Sequence, residues 1–61
     1  MSTPKDPHIL LSYINTKLRD EYSNLEDLCK SLDIDRPELE SILFHIHYSY
    51  HIERNQFIQT V

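Results

Sequence analysis

The sequence offers three kinds of side chain that could do chemistry: a lone thiol at Cys29, imidazoles at His45, His47 and His51, and aromatic and arginine side chains that could hold a partner. A catalytic or redox thiol needs a base nearby and an exposed, electropositive setting. Cys29 instead falls on the inner face of a helical pattern, Leu28-Cys29-Lys30-Ser31-Leu32, where a small thiol serves packing. The histidines suggest a metal, because a helix continued to residue 51 brings His47 and His51 together at i, i+4, and a strand aligns them on one face. Two such ligands fall short of the four of a structural zinc site or the three of a catalytic one. No metal or cofactor is therefore expected. The chain contains no glycine, and phosphate-cradling loops and nucleophile elbows rely on glycine to bring backbone close to a ligand. With no nucleophile–base pair, no acid–base pair and no cofactor loop, no catalytic residue is assigned and an enzyme is not expected.

Binding chemistry is the alternative. A helical wheel that turns Leu39, Ile42, Leu43 and Ile46 inward leaves Phe44 outward beside Pro37, Glu40 and Ser41, where an aromatic ring can anchor a partner or pack on its own chain. Phe44 with Tyr48, Tyr50 and Phe57 makes the candidate partner surface, and the last stretch, Gln56 to Val61, is expected to leave an open strand edge. For nucleic acid the candidate contacts are Arg36 and Arg54. Against them stand Glu38 and Glu40 on the same helix and a net charge of −4 from six basic and ten acidic residues, which disfavours a polyanionic partner. The expected function is a small non-catalytic module that binds a protein partner or its own copy, the alternative being a DNA-binding accessory or regulator of winged-helix type.

These residues need elements to position them. Ser23 to Ile46 reads as two short helices joined by a tight turn at Asp33-Ile34-Asp35, a helix-turn-helix pattern with Leu28, Leu32, Ile34, Leu39, Ile42 and Leu43 on the facing sides. Ser23 with Glu26, and Asp35 with Glu38 around Pro37, have the spacing of capping boxes. Asp33 stands where such turns often use glycine, and aspartate tolerates a left-handed backbone better than most residues. Asp6-Pro7 opens an earlier helix, expected to run to about Tyr22 with an apolar stripe of Leu10, Leu11, Ile14 and Leu18. The expected core is Leu10, Ile14, Leu18, Leu25, Leu28, Leu32, Ile34, Leu39, Ile42, Leu43 and Ile46. Beyond Ile46 the pattern alternates, with Tyr48, Tyr50 and Ile52 on one parity and His47, Ser49 and His51 on the other. A hairpin turning at Arg54-Asn55 pairs Ile52 with Phe57, His51 with Ile58, Tyr50 with Gln59, Ser49 with Thr60 and Tyr48 with Val61, with Asn55 suited to a positive φ. The rival is a third helix continued through Tyr50 or His51. The expected fold class is mainly α: a three-helix helix-turn-helix core with a C-terminal β-hairpin, winged-helix-like.

A chain of 61 residues makes one domain at most, residues 1–61, with residues 1–5 expected to be loose. One cysteine forms no internal disulfide, the start lacks a secretory pattern and no apolar run reaches the ~20 residues of a spanning helix. A cytoplasmic protein without a membrane partner is expected.

Pro4-Lys5-Asp6-Pro7, Leu10-Leu11-Ser12, the run from Ile14 to Asp20 (INTKLRD), Tyr22, Leu25, Leu28-Cys29 and Asn55-Gln56-Phe57 together resemble a family of very short bacterial proteins catalogued as a domain of unknown function. The resemblance covers nearly the whole chain and implies a bacterial source. It implies no activity and no functional residues. The chain departs from that family at His47, where relatives tend to carry glycine and a sharp exit from the third helix would use it.

Overall fold

Asp6 sets where the first helix begins. In the computed structural model, which describes residues 4–60, the Asp6 carboxylate accepts from the N–H groups of His8 and Ile9 at 2.8 and 3.3 Å, and Pro7 occupies the first turn, where its missing N–H leaves nothing unpaired. The helix that follows, α1 (Pro7–Asp20), stops short of the expected Tyr22. The N–H groups of Glu21 and Tyr22 both return to the Lys17 carbonyl, which closes the last turn. Leu10, Ile14 and Leu18 form its buried stripe.

The second helix, α2 (Leu25–Leu32), is capped by Asn24 rather than by the expected Ser23: the Asn24 side-chain oxygen accepts from the Asp27 N–H at 2.7 Å. Asparagine caps as well as serine, and the Tyr50 hydroxyl accepts the Leu25 N–H, so the frame one residue later satisfies two orphan donors. Asp33 then takes the left-handed conformation, φ 55°, and its N–H and that of Ile34 close onto the Cys29 carbonyl. The third helix, α3 (Arg36–Phe44), starts from Asp35, whose side chain makes no cap hydrogen bond. The expected box with Glu38 does not form. Pro37, at the second helical position, leaves only the Glu38 N–H within reach of a cap side chain, and the Asp35 carboxylate does not take it.

His47 ends the helical part of the chain. The N–H groups of Ile46 and His47 bond to the Leu43 and Phe44 carbonyls, and His47 turns left-handed at φ 67°. The third helix therefore does not continue to Tyr50. Two antiparallel strands follow, β1 (Tyr48–His51) and β2 (Gln56–Gln59). Their register pairs Tyr48 with Gln59, Ser49 with Ile58, Tyr50 with Phe57 and His51 with Gln56, two residues away from the register expected. A four-residue connection, 52–55, replaces the two-residue turn, with Asn55 at φ 52°. A slip of two preserves which side chains share a face, so the expected faces hold while the cross-strand pairs differ. The expected partner of Tyr48, Val61, lies outside the described residues, as do residues 1–3 of the segment expected to be loose.

The core is Leu10, Ile14, Leu18, Leu25, Leu28, Cys29, Leu39, Leu43 and Phe57. Leu32, Ile34, Ile42 and Ile46, expected inside, are half-buried and pack against it. Truncating a central member such as Leu28 costs about 2–5 kcal/mol. No helix among the described residues is long and apolar enough to cross a membrane.

Candidate binding face

Phe44 is 64% exposed. It sits at the end of α3, four residues beyond Glu40, and with Pro37, Glu40, Ser41, Ser49 and Tyr50 it lines a shallow groove of about 470 Å³ between α3 and β1. Tyr50 forms the opposite wall while its hydroxyl is committed inward, donating to the Asn55 side-chain oxygen at 2.6 Å and accepting from the Leu25 N–H. Tyr48 is half-buried and packs on the core. Phe57 is 2% exposed and belongs to the core, which corrects its placement on the partner surface. The observed register sets it opposite Tyr50, ring centroids 5.6 Å apart, and its apolar ring completes the contact between hairpin and α1.

The two arginines have different surroundings. Arg36 pairs with Glu40 at 3.5 Å and lies 5.9 Å over the Tyr50 ring, whereas Arg54 is exposed in the 52–55 connection. Cys29 is buried, and burial pushes its thiol above the ordinary value, the opposite of what a nucleophile requires. Among the described residues no group of three or more His, Cys, Asp and Glu side chains is placed to hold a metal. His45 Nδ1 lies 2.7 Å from the Ser41 carbonyl, closing its own helix turn.

The outer edges of the two strands differ. At β2 the Asn15 side chain lies against the strand, its oxygen accepting the Phe57 N–H at 2.8 Å and its amide nitrogen donating to the Phe57 carbonyl at 3.0 Å. Gln56 donates to the Asn15 carbonyl, and Asn55 donates to the carbonyls of Leu18 and Tyr22. The edge expected to be open, that of the last strand, is thus closed at Phe57 by α1. Because Phe57 directs both backbone groups to Asn15, Tyr50–Phe57 is a pair without ladder hydrogen bonds, and bonding alternates along an antiparallel ladder. Tyr48 and Tyr50 therefore direct their N–H and C=O groups away from β2. Among the described residues no hydrogen bond takes up those four groups. The open edge is that of β1, beside the Phe44 groove.

Charge is also divided unevenly. Residues 24–44 contain six acids, Glu26, Asp27, Asp33, Asp35, Glu38 and Glu40, against two bases, Lys30 and Arg36; outside them four bases meet four acids, so α2, α3 and their turn carry the whole −4. Both bases have acidic neighbours, Arg36 at Glu40 and Lys30 3.9 Å from Glu26. Counting charge by element finds this asymmetry in the sequence; the average over the chain hides it. Asn15 carried no such signal, since its partner lies 42 residues away.

The family model described as a domain of unknown function, DUF4250, matches residues 4–57. No curated protein and no solved structure shows a match to the chain.

Proposed function

The chain belongs to the DUF4250 family, a domain of unknown function, and from that premise we propose that it is a non-catalytic protein-binding module whose contact face is the groove between α3 and β1. The observation that carries the reading is Phe44: a phenylalanine ring left largely in water at the rim of a groove walled by Pro37 and Tyr50 has the form of an aromatic interface anchor. The rest of the face is uncharged apart from Glu40, as the centre of an interface tends to be. The alternative, a winged-helix-type DNA reader, would present α3 to the major groove. Its acids, and the engagement of Arg36 by Glu40, count against that role.

The test compares wild type with Phe44→Ala, both immobilised and exposed to a lysate of the source organism. Truncating an aromatic anchor costs about 2 kcal/mol or more, roughly thirtyfold in affinity. The expected result is a protein retained by wild type and lost from the variant, with circular dichroism unchanged. Equal retention would remove the face from consideration. Salt-sensitive binding of labelled duplex DNA, abolished by neutralising Arg36 and Arg54, would transfer the function to the DNA reading.

A further inference from the structure

We propose that the module binds by strand addition: an extended segment of another protein, with basic side chains around an apolar one, pairs with the free edge of β1 and seats the apolar side chain in the Phe44–Tyr50 groove. This rests on the binding face proposed above and adds to it the conformation and chemistry of the occupant.

The backbone supplies the first argument. Tyr48 and Tyr50 present two N–H and two C=O groups outward, in the spacing that an added antiparallel or parallel strand reads. Sheet edges left without partners are usually blunted by charge, proline or a covering side chain. The edge of β2 is covered by Asn15. The β1 strand, Tyr48-Ser49-Tyr50-His51, contains neither proline nor a Lys, Arg, Asp or Glu. The groove lies along the same strand, lined by Ser49 and Tyr50 on one side and α3 on the other. A paired strand directs alternate side chains to one face, so a side chain of the added segment reaches the groove without leaving the register.

Charge selects the occupant. Residues 24–44, which include the α3 helix packed beside β1, carry a net −4, and Glu40 lines the groove itself. A second copy would bring the same −4 to the same edge, whereas a basic segment complements it. Complementarity also sets the salt response: association weakens as the screening length falls from about 10 Å at 0.1 M salt to about 3 Å at 1 M.

The experiment uses the full-length 15N-labelled chain and three seven-residue probes: an alternating lysine–valine peptide, its glutamate–valine counterpart, and the lysine–valine peptide N-methylated at alternate amides. The lysine–valine peptide is expected to shift the amides of Tyr48 and Tyr50 and to weaken about tenfold in Phe44→Ala. N-methylation, which removes edge donors while keeping charge, should weaken it at least tenfold, and the glutamate–valine peptide should leave the spectrum unchanged. Binding that moves Phe44 but is indifferent to N-methylation would overturn strand addition and leave the groove in place. Equal binding of the acidic and basic peptides would overturn the charge argument. Shifts at Tyr48 and Tyr50 produced by raising the protein concentration alone would make a second copy the occupant. If no probe moves Tyr48 or Tyr50, strand addition fails, while Phe44-dependent retention from lysate still decides the face separately.

Discussion

A helix flanks each strand of the hairpin, and the two do opposite things. On one side α1 extends the Asn15 amide to both backbone groups of Phe57, Gln56 reaches back to the Asn15 carbonyl, and Asn55 ties the hairpin connection to the end of the helix. On the other side α3 leaves a groove, with Phe44 at its rim and the outward backbone of Tyr48 and Tyr50 unpaired among the described residues. Two of the stretches that carry the family resemblance, INTKLRD and Asn55-Gln56-Phe57, meet on the closed side, while the family match, residues 4–57, spans the groove as well. Those two stretches hold a two-stranded sheet, marginal in isolation, to the first helix.

The two phenylalanines put the comparison to its hardest test. Phe57 is the hairpin's contribution to the core, and Phe57→Ala should cost about 3–5 kcal/mol. At roughly 0.05–0.15 kcal/mol per residue of total stability, that is enough to leave much of the chain unfolded, read as lost helicity in circular dichroism at 25 °C. A native-like spectrum with an unchanged urea midpoint would mean the hairpin is not part of the core. Next comes Asn15→Ala, which removes two hydrogen bonds and strands the part-buried Phe57 backbone. The expected loss is about 2 kcal/mol in urea unfolding. Asn15→Asp retains an acceptor for the Phe57 N–H but sets a carboxylate against the Phe57 carbonyl, so it should be no better than alanine. A stability equal to wild type in either variant would make the closed edge a coincidence of geometry.

What the sequence made readable was local. Asp6 before Pro7, Asp33 in the turn and Asn55 at the end of the 52–55 connection each announce their backbone conformation through their own chemistry, and the outward face of α3 follows from helical period alone. The hairpin register was not readable. Arg54-Asn55 looks like a two-residue turn, but the position of Asn55 is set by bonds to Leu18 and Tyr22, more than thirty residues earlier. Phe57 misled for the same reason: alternation assigns it a face, and only the pull of α1 on β2 makes that face the interior. Asn24 displaced Ser23 as cap because Tyr50, from the hairpin, takes the Leu25 N–H. In each case the local choice was nearly balanced and a distant polar side chain decided it.

His47 offers a smaller test of how the open edge is placed. It adopts φ 67° to swing the chain from α3 into β1, at a cost of about 1–2 kcal/mol for a residue with a side chain, partly offset in glycine by greater unfolded-state freedom. His47→Gly should therefore raise stability by about 0.5–1 kcal/mol, measured by urea midpoint, without moving the Tyr50 amide resonance. The Cys29 thiol gives a pH test. Burial raises its folded value, so the unfolded chain loses that proton first, and stability should decline as pH climbs past the ordinary thiol range. Cys29→Ala should remove that part of the decline.

The smallest expected effect on stability belongs to Phe44, and its smallness is the point. A ring 64% exposed has little transfer free energy to lose, and the helix-end hydrogen bond at Phe44 uses its backbone carbonyl, not its side chain, so the substitution should stay within about 0.5 kcal/mol. Phe44→Ala should leave the urea midpoint and the helical signal in place while reducing partner binding by roughly thirtyfold. The contrast with Phe57→Ala is then between one aromatic ring that holds the fold and does not reach the partner, and another that reaches the partner and hardly touches the fold. Should Phe44→Ala lose 2 kcal/mol or more, the groove would be an extension of the core, and the two flanks of the hairpin would both be structural.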